Sequence, residues 1–105
     1  MAKRDVWVRV GDKLVRGDTV VGVTVSDPPY HHETFKIMLK VTGHRDLLWL
    51  DSGVYDGLGA GREQVDALVD AFVDTLARGA GMPSGALIRF GSDEDAPGWV
   101  MSPLG

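Results

Sequence analysis

The stretch from Arg62 to Ala80 constrains the fold most strongly, because its spacing of apolar residues predicts a long helix. At about 100° per residue, the apolar side chains fall on one broad face and the acidic side chains form a narrow stripe opposite. The apolar face comprises Val65, Leu68, Val69, Phe72, Val73, Leu76 and Ala80, and the acidic stripe comprises Glu63, Asp66, Asp70 and Asp74. Since no second helix is predicted, the apolar face needs a sheet to cover it.

The segments around the helix alternate between apolar and polar residues, as half-buried strands do. The clearest alternation spans residues 34–42, and short turns between the segments favour antiparallel hairpins. The other strand segments are 5–10, 14–16, 19–26, 47–50 and 86–90. We therefore predict an α+β fold: an antiparallel β-meander of four to five strands, one amphipathic helix (about 62–80) packed on one face, and a C-terminal strand.

The predicted core joins the apolar face of the helix to the inward side of the strands. It consists of Val6, Val8, Val21, Val23, Phe35, Ile37, Leu39, Leu48, Leu50, Leu68, Phe72, Leu76 and Ile88. We expect a single domain over residues 1–105, with a flexible tail from about residue 92 in which residues 99–101 add a short edge strand. Residues 51–61 are rich in glycine and aspartate and are expected to form a flexible connector.

The amino-acid composition excludes several classes of protein for this chain. The chain has no cysteine, which excludes disulfides, thiolate catalysis and thiolate metal sites. No apolar run approaches the ~18 residues that a membrane span needs, and the N-terminus lacks the apolar region of a signal peptide. We therefore predict a cytoplasmic protein without membrane contact. Frequent Val, Gly, Asp, Ala and Arg, with few Lys, Asn and Ile, indicate a GC-rich bacterial genome or a phage of such a host.

The net charge of −4 is unevenly distributed along the chain. Through Leu50 there are eight basic and six acidic residues, so this half carries +2. From Asp51 onward there are nine acidic and three basic residues, so that half carries −6. Nucleic-acid-binding domains usually carry a strong basic excess, which this chain lacks. Nucleic acid is therefore a disfavoured partner that stays open as an alternative.

The strand side opposite the predicted core carries basic and large apolar residues together. If the strands are neighbours, this surface contains Trp7, Arg9, Lys36, Met38, Lys40, Leu47 and Trp49. Such residues are common at protein interfaces, and on sheets they also hold single-stranded nucleic acid. In a third interpretation, Trp99 and Met101 of the tail fold over this surface. Because one helix covers only one side of a sheet, we predict an interface, with a homodimer or another homo-oligomer as the simplest assembly.

Two features near the helix suggest other partners. Gly57, Gly59 and Gly61 precede it, and a glycine loop at a helix N-terminus can bind an anion, although the spacing differs from known phosphate-binding motifs. This turn resembles the glycine turn of acyl-coenzyme A-binding acetyltransferases, which implies an acyl ligand, while the chain is shorter than that fold. The acidic stripe offers a surface for a basic partner, and its simpler interpretation is a solvated helix face.

No pattern in the chain predicts catalysis. His31 and His32 are adjacent, and neighbouring side chains of an extended segment point to opposite sides, so the pair does not readily share one metal ion. His44, Asp46 and Asp51 add possible ligands without a recognised metal-binding spacing. The chain also lacks any local signature of a Ser/His/Asp arrangement. We therefore predict no catalytic residue, no metal and no cofactor.

The working hypothesis is a small intracellular, non-enzymatic interaction module, an adaptor or inhibitor, that self-associates through its tryptophan-bearing sheet face. The identity of any protein partner is not encoded in a recognisable motif. Two alternatives stay open. One is a nucleic-acid-binding regulatory protein that uses the same basic and aromatic face. The other is a small enzyme that binds an anionic or acyl ligand at the glycine loop. This type of fold hosts many unrelated functions, so the function has to be inferred from the residues of the site.

Overall fold

A computed structural model of the chain describes residues 5–28, 30, 33–55, 61–92 and 97–104. Within them, a 3₁₀ turn at Gly17–Thr19 accompanies seven strands and one long helix. The elements are β1 (Val6–Val10), β2 (Lys13–Arg16), β3 (Val20–Ser26), β4 (Thr34–Val41), β5 (Leu48–Tyr55), α1 (Gly61–Ala80), β6 (Ala86–Ser92) and β7 (Pro97–Pro103). These elements confirm the predicted α+β class, with antiparallel strands, one packed helix and a C-terminal strand.

The strands are divided between two sheets. One sheet has the order β2-β1-β6-β7, and the other has the order β3-β4-β5. Neighbouring strands are antiparallel except β1 and β6, which pair in parallel with Val8 opposite Ile88. The helix lies between β5 and β6 in the chain, so its crossing returns the polypeptide to the first sheet beside β1.

The core lies where the two sheets and the helix meet. Val8 of β1, Ile37 and Leu39 of β4, Phe72 of α1 and Ile88 of β6 are completely buried. The helix contacts strands of both sheets, so its buried face joins them. Alternation along β4 and β5 places every second side chain in this core and the intervening ones outside.

The buried face of the helix differs from the predicted face. Val73 is 56% exposed and Ala80 is also exposed, whereas Thr75 and Gly79 are buried. A Cβ at Gly79 would lie only 3.3 Å from Val6 Cγ1, so the absent side chain lets β1 approach the helix. The buried Thr75 hydroxyl has a hydrogen-bond partner, because it donates to the Ala71 carbonyl at 2.7 Å.

Val21 was placed in the core by its alternation, and this prediction is wrong. The pairing of β3 with β4 shifts register between Val20 and Gly22, which marks a β-bulge. The extra residue of the bulge leaves Val21 62% exposed, while Val20 packs against the core instead. The other predicted core residues are buried or pack against the buried cluster.

The first five residues of the predicted flexible connector form a strand, so this part of the prediction is wrong. Residues 51–55 continue β5, and only residues 56–60 of the predicted segment lie outside the described residues. Ser52 is fully buried at a second register shift, where its hydroxyl donates to the Phe35 carbonyl at 2.7 Å and accepts from the Val54 N–H at 3.1 Å. Gly53 adopts a positive φ of 72° there. These bonds hold the strand together across the shift.

The edge strand β7 is longer than the three residues, 99–101, predicted for it. β7 pairs with β6 along its whole length, from Ala86 opposite Pro103 to Ser92 opposite Pro97. The Trp99 indole N–H donates to the Leu68 carbonyl of α1 at 2.8 Å, and its ring centroid lies 4.5 Å from that of Phe72. Trp99 therefore packs towards the helix, and not over Trp7 or Trp49. The single-domain organisation stays a prediction.

Candidate protein-interaction surface

The seven residues predicted to share one surface are divided between the two sheets. Trp7 and Arg9 belong to β1. The others belong to the three-stranded sheet: Lys36, Met38 and Lys40 on β4, Trp49 on β5, and Leu47 immediately before β5. The structure therefore contains two separate outer faces in place of one.

The outer face of the three-stranded sheet brings the larger group together. Met38 lies opposite Trp49 of β5 and Thr24 of β3, while Lys36 lies opposite Asp51 and Ser26. We call this surface the Trp49 face and define it by Lys36, Met38, Lys40, Leu47, Trp49 and Asp51. The same strands turn their other side to the core.

The Trp49 face is open in the described part of the chain. Trp49 is 58% exposed and Leu47 is 45% exposed, whereas Met38 between them is half-buried. Isolated exposed apolar residues are common, but a contiguous group on one sheet face is typical of binding surfaces. The alternation of apolar residues on both sides of β4 and β5 is the sequence signal for this surface.

Lys36 links the apolar and charged parts of the Trp49 face. Its Nζ lies 5.6 Å from the Trp49 ring centroid and 3.1 Å from Asp51 Oδ2, and it donates to Thr34 Oγ1 at 2.9 Å. Partial burial raises the pKa of Asp51, but hydrogen bonds from Thr34, the Gly53 N–H and Lys36 outweigh it, so the pKa lies below its usual value. Asp51 and Lys36 are thus held as an ion pair beside the indole.

Lys40 differs from Lys36 in its surroundings. It is exposed and makes no ion pair or side-chain hydrogen bond within the described residues. Within that part of the chain, the Trp49 face therefore has one paired and one unpaired lysine.

Trp7 and Arg9 lie on the outer face of the four-stranded sheet. Trp7 is half-buried between Arg16 of β2 and Leu87 of β6, and Arg9 lies beside Leu14, which is 48% exposed. Trp7 is thus partly covered by its own sheet neighbours. The two outer faces differ in this respect, because Trp49 is the more open of the two indoles.

The acidic stripe of the helix is exposed along its whole length. Arg62 Nε lies 3.1 Å from Asp66, and Arg78 Nε lies 3.1 Å from Asp74. Hydrogen bonds to Asp66 and Asp27 raise the pKa of Arg62, so this arginine stays charged and ties the helix start to the end of β3. The charges at both ends of the stripe are therefore partly compensated.

The middle of the acidic stripe has a different character. Asp70 makes no ion pair within the described part of the chain, and it lies one helical turn from the exposed Val73. The sequence analysis placed Val73 on the apolar face of the helix and missed its place on this surface. An apolar side chain beside exposed carboxylates matches a partner surface that is both basic and apolar.

Gly61 is the only residue of the predicted glycine loop that the structure describes. It is buried at the first position of α1, where a Cβ would collide with the Tyr55 carbonyl oxygen and lie 2.9 Å from Phe35 Cε2. Close packing thus explains this glycine without a ligand. Gly57 and Gly59 lie outside the described residues, so the anion-binding role of the loop stays a prediction.

Neither the histidines nor comparison with known proteins identifies a further site. His31 and His32 lie outside the described residues, and His44 is exposed in a turn. Among the residues that the structure describes, no group of three His, Asp or Glu side chains is placed to hold a metal ion, and no helix is long and apolar enough to cross a membrane. No family model, curated protein or solved structure matches this chain.

Proposed function

We propose that the chain is a cytoplasmic, non-enzymatic interaction module that self-associates, with the Trp49 face of one copy contacting the acidic stripe of another. The observation that supports this is the exposure of Trp49 and Leu47 on a sheet face that also carries the exposed Lys40. Burying these side chains would contribute roughly 25 cal/mol per Å² of apolar surface removed from water.

The choice of a second copy as partner rests on charge complementarity. The Trp49 face has two lysines and one aspartate, which leaves +1. The outer side of the helix has the four acids of the stripe and two arginines, Arg62 and Arg78, which leaves −2. The exposed Val73 gives the helix an apolar point of contact for the indole. Two different surfaces of one chain meet in such a contact, which generates rings or open chains of copies.

Sedimentation velocity over a range of micromolar concentrations tests this proposal. We expect the sedimentation coefficient to rise with concentration, and Trp49→Ser to remove that rise. Leu14→Ser is the matched control, because Leu14 is 48% exposed on the other sheet and its loss should leave association unchanged. A wild-type chain that stays monomeric at every concentration would overturn the proposal, and so would equal effects of the two substitutions.

Single-stranded nucleic acid is the second candidate for the same face. Lys36 lies over the Trp49 ring, and a cation beside a stacking platform is the arrangement that sheet surfaces use for single strands. This role predicts that binding weakens steeply with salt and is lost in Lys36→Ala with Lys40→Ala. Absence of binding at low salt would exclude it and leave the protein contact.

A further inference from the structure

A cleft of about 570 Å³ lies between the edge strand β5 and the four-stranded sheet. Arg9 of β1, Arg89 and Phe90 of β6, Thr34 of β4, and Asp51 and Tyr55 of β5 contribute to its lining. A volume of this size falls within the roughly 300–1,000 Å³ typical of small-molecule sites. The cleft is separate from the contact proposed above, with Asp51 as the one residue that belongs to both.

The two arginines of the cleft each follow the last pair of the β1–β6 ladder. Trp7 pairs with Leu87 and Val8 with Ile88 in the parallel β1–β6 ladder, so Arg9 and Arg89 occupy the next matching positions on the same face. Neighbouring strands lie about 4.8 Å apart, and like charges side by side on a sheet are destabilising. Neither arginine makes an ion pair or side-chain hydrogen bond within the described part of the chain. Two arginines that line one cleft, neither of them paired within the described residues, are therefore a feature that the described packing does not explain.

The carboxylate in the same lining does not neutralise this pair. Asp51 accepts hydrogen bonds from the Gly53 N–H at 2.8 Å and from Lys36 Nζ at 3.1 Å. Both of its oxygens are thus engaged on the side of β4 and β5. Among the residues that the structure describes, the unpaired charges in the cleft are those of the two guanidinium groups, whose N–H donors match the oxygens of a phosphate.

The rest of the lining suits a planar group. Tyr55 is largely exposed in this lining and is its open aromatic side chain, because the Phe90 ring packs with its centroid 5.0 Å from that of Trp99. Aromatic faces bind flat rings by stacking, and the Thr34 hydroxyl can donate or accept a hydrogen bond. We propose that this cleft binds a small phosphate monoester attached to a planar ring, a ligand of the mononucleotide class, with Arg9 and Arg89 holding the phosphate.

Calorimetric titration with three probes tests this site: adenosine 5′-monophosphate, adenosine and inorganic phosphate. We expect the monophosphate to bind more tightly than inorganic phosphate, and adenosine to bind weakest. Arg9→Gln and Arg89→Gln should each weaken binding of the monophosphate by about tenfold or more, because each removes charge-assisted hydrogen bonds. Arg45→Gln is the matched control, since Arg45 is an exposed arginine in the turn before β5, outside the cleft.

Urea unfolding of the same variants separates a binding role from a structural one. Relief of the repulsion between Arg9 and Arg89 should leave the unfolding midpoint of either glutamine variant unchanged or higher. A lower midpoint would show that the arginines stabilise the fold and would overturn the proposal. Failure of the monophosphate to bind, equal binding of adenosine, or equal weakening by Arg45→Gln would overturn it as well. Trp49→Ser should leave this binding intact, so the outcome does not depend on self-association.

Discussion

At the scale of single residues, the start of the helix at Gly61 leaves no room for a side chain. Replacing Gly61 with Ala forces a Cβ against the Tyr55 carbonyl and the Phe35 ring, and we expect a loss of about 1–3 kcal/mol in the free energy of unfolding. Urea denaturation measures this loss. Gly22→Ala is the control, since its Cβ would meet Lys40 Cβ at an ordinary 3.6 Å. A Gly61→Ala variant as stable as the control would contradict the close packing described here.

Asp51 gives stability a pH dependence of definite sign. Its pKa in the folded chain lies below the unfolded value of 3.8, so the ionised form favours the fold. The stabilisation is present above that value and disappears as the pH falls through the folded pKa. We expect wild type to be more stable than Asp51→Asn at pH 6, with the difference shrinking below about pH 4. A difference that stays constant down to pH 3 would contradict the ion pair with Lys36.

Residue-level errors in the sequence analysis have local physical causes. Val21 and Val20 are both valines in a β-branched run, and only the bulge decides which of them faces the core. Val73 lies at the margin of the apolar helix face and is exposed, while Gly79 is buried where β1 approaches the helix. Periodicity predicts that a face exists, whereas its limits depend on contacts that are distant in sequence.

At the scale of elements, β7 is attached to the helix through Trp99. Trp99→Phe removes the indole hydrogen bond to the Leu68 carbonyl and part of the ring contact with Phe72, so we expect a loss of about 1–2 kcal/mol. Trp49→Phe is the matched control and should change stability by less than about 0.5 kcal/mol, because that indole is largely exposed. Thermal or urea unfolding distinguishes the two. Similar losses at both positions would contradict the different placements of the two tryptophans.

The elements themselves were largely predictable, and their lengths were not. The helix and the alternation of β4 are visible because each has a strong period. Ser52 and Gly53 are typical of turns, so the sequence predicts that β5 ends before them. In the structure they occupy a bulge, and the strand continues to Tyr55. The sequence of β7 also does not look like a strand, because it contains proline and glycine. An edge strand tolerates these residues, since it pairs on one side only.

At the scale of the whole molecule, the division into two sheets lies beyond local pattern. The parallel pairing of Val6 with Ala86 joins strands that are separated by most of the chain, and nothing in either segment specifies the other. This pairing also determines which residues share an outer face. It places Trp7 and Arg9 in a different sheet from the other predicted surface residues, Lys36, Met38, Lys40 and Trp49. The sequence analysis predicted one surface for these residues and did not predict their division between two sheets. The proximity of Arg9 to Arg89 had no sequence signal at all.

A charge-swap mixing experiment tests the proposed self-association most directly. Lys40 and Asp70 are exposed and unpaired within the described residues, so Lys40→Glu and Asp70→Lys should each abolish association by placing like charges together. A 1:1 mixture of the two variants restores opposite charges at every contact between unlike copies. Sedimentation velocity should therefore show two monomeric variants and an associating mixture. Variants that associate like wild type, or a mixture that stays monomeric, would contradict a contact between the Trp49 face and the acidic stripe.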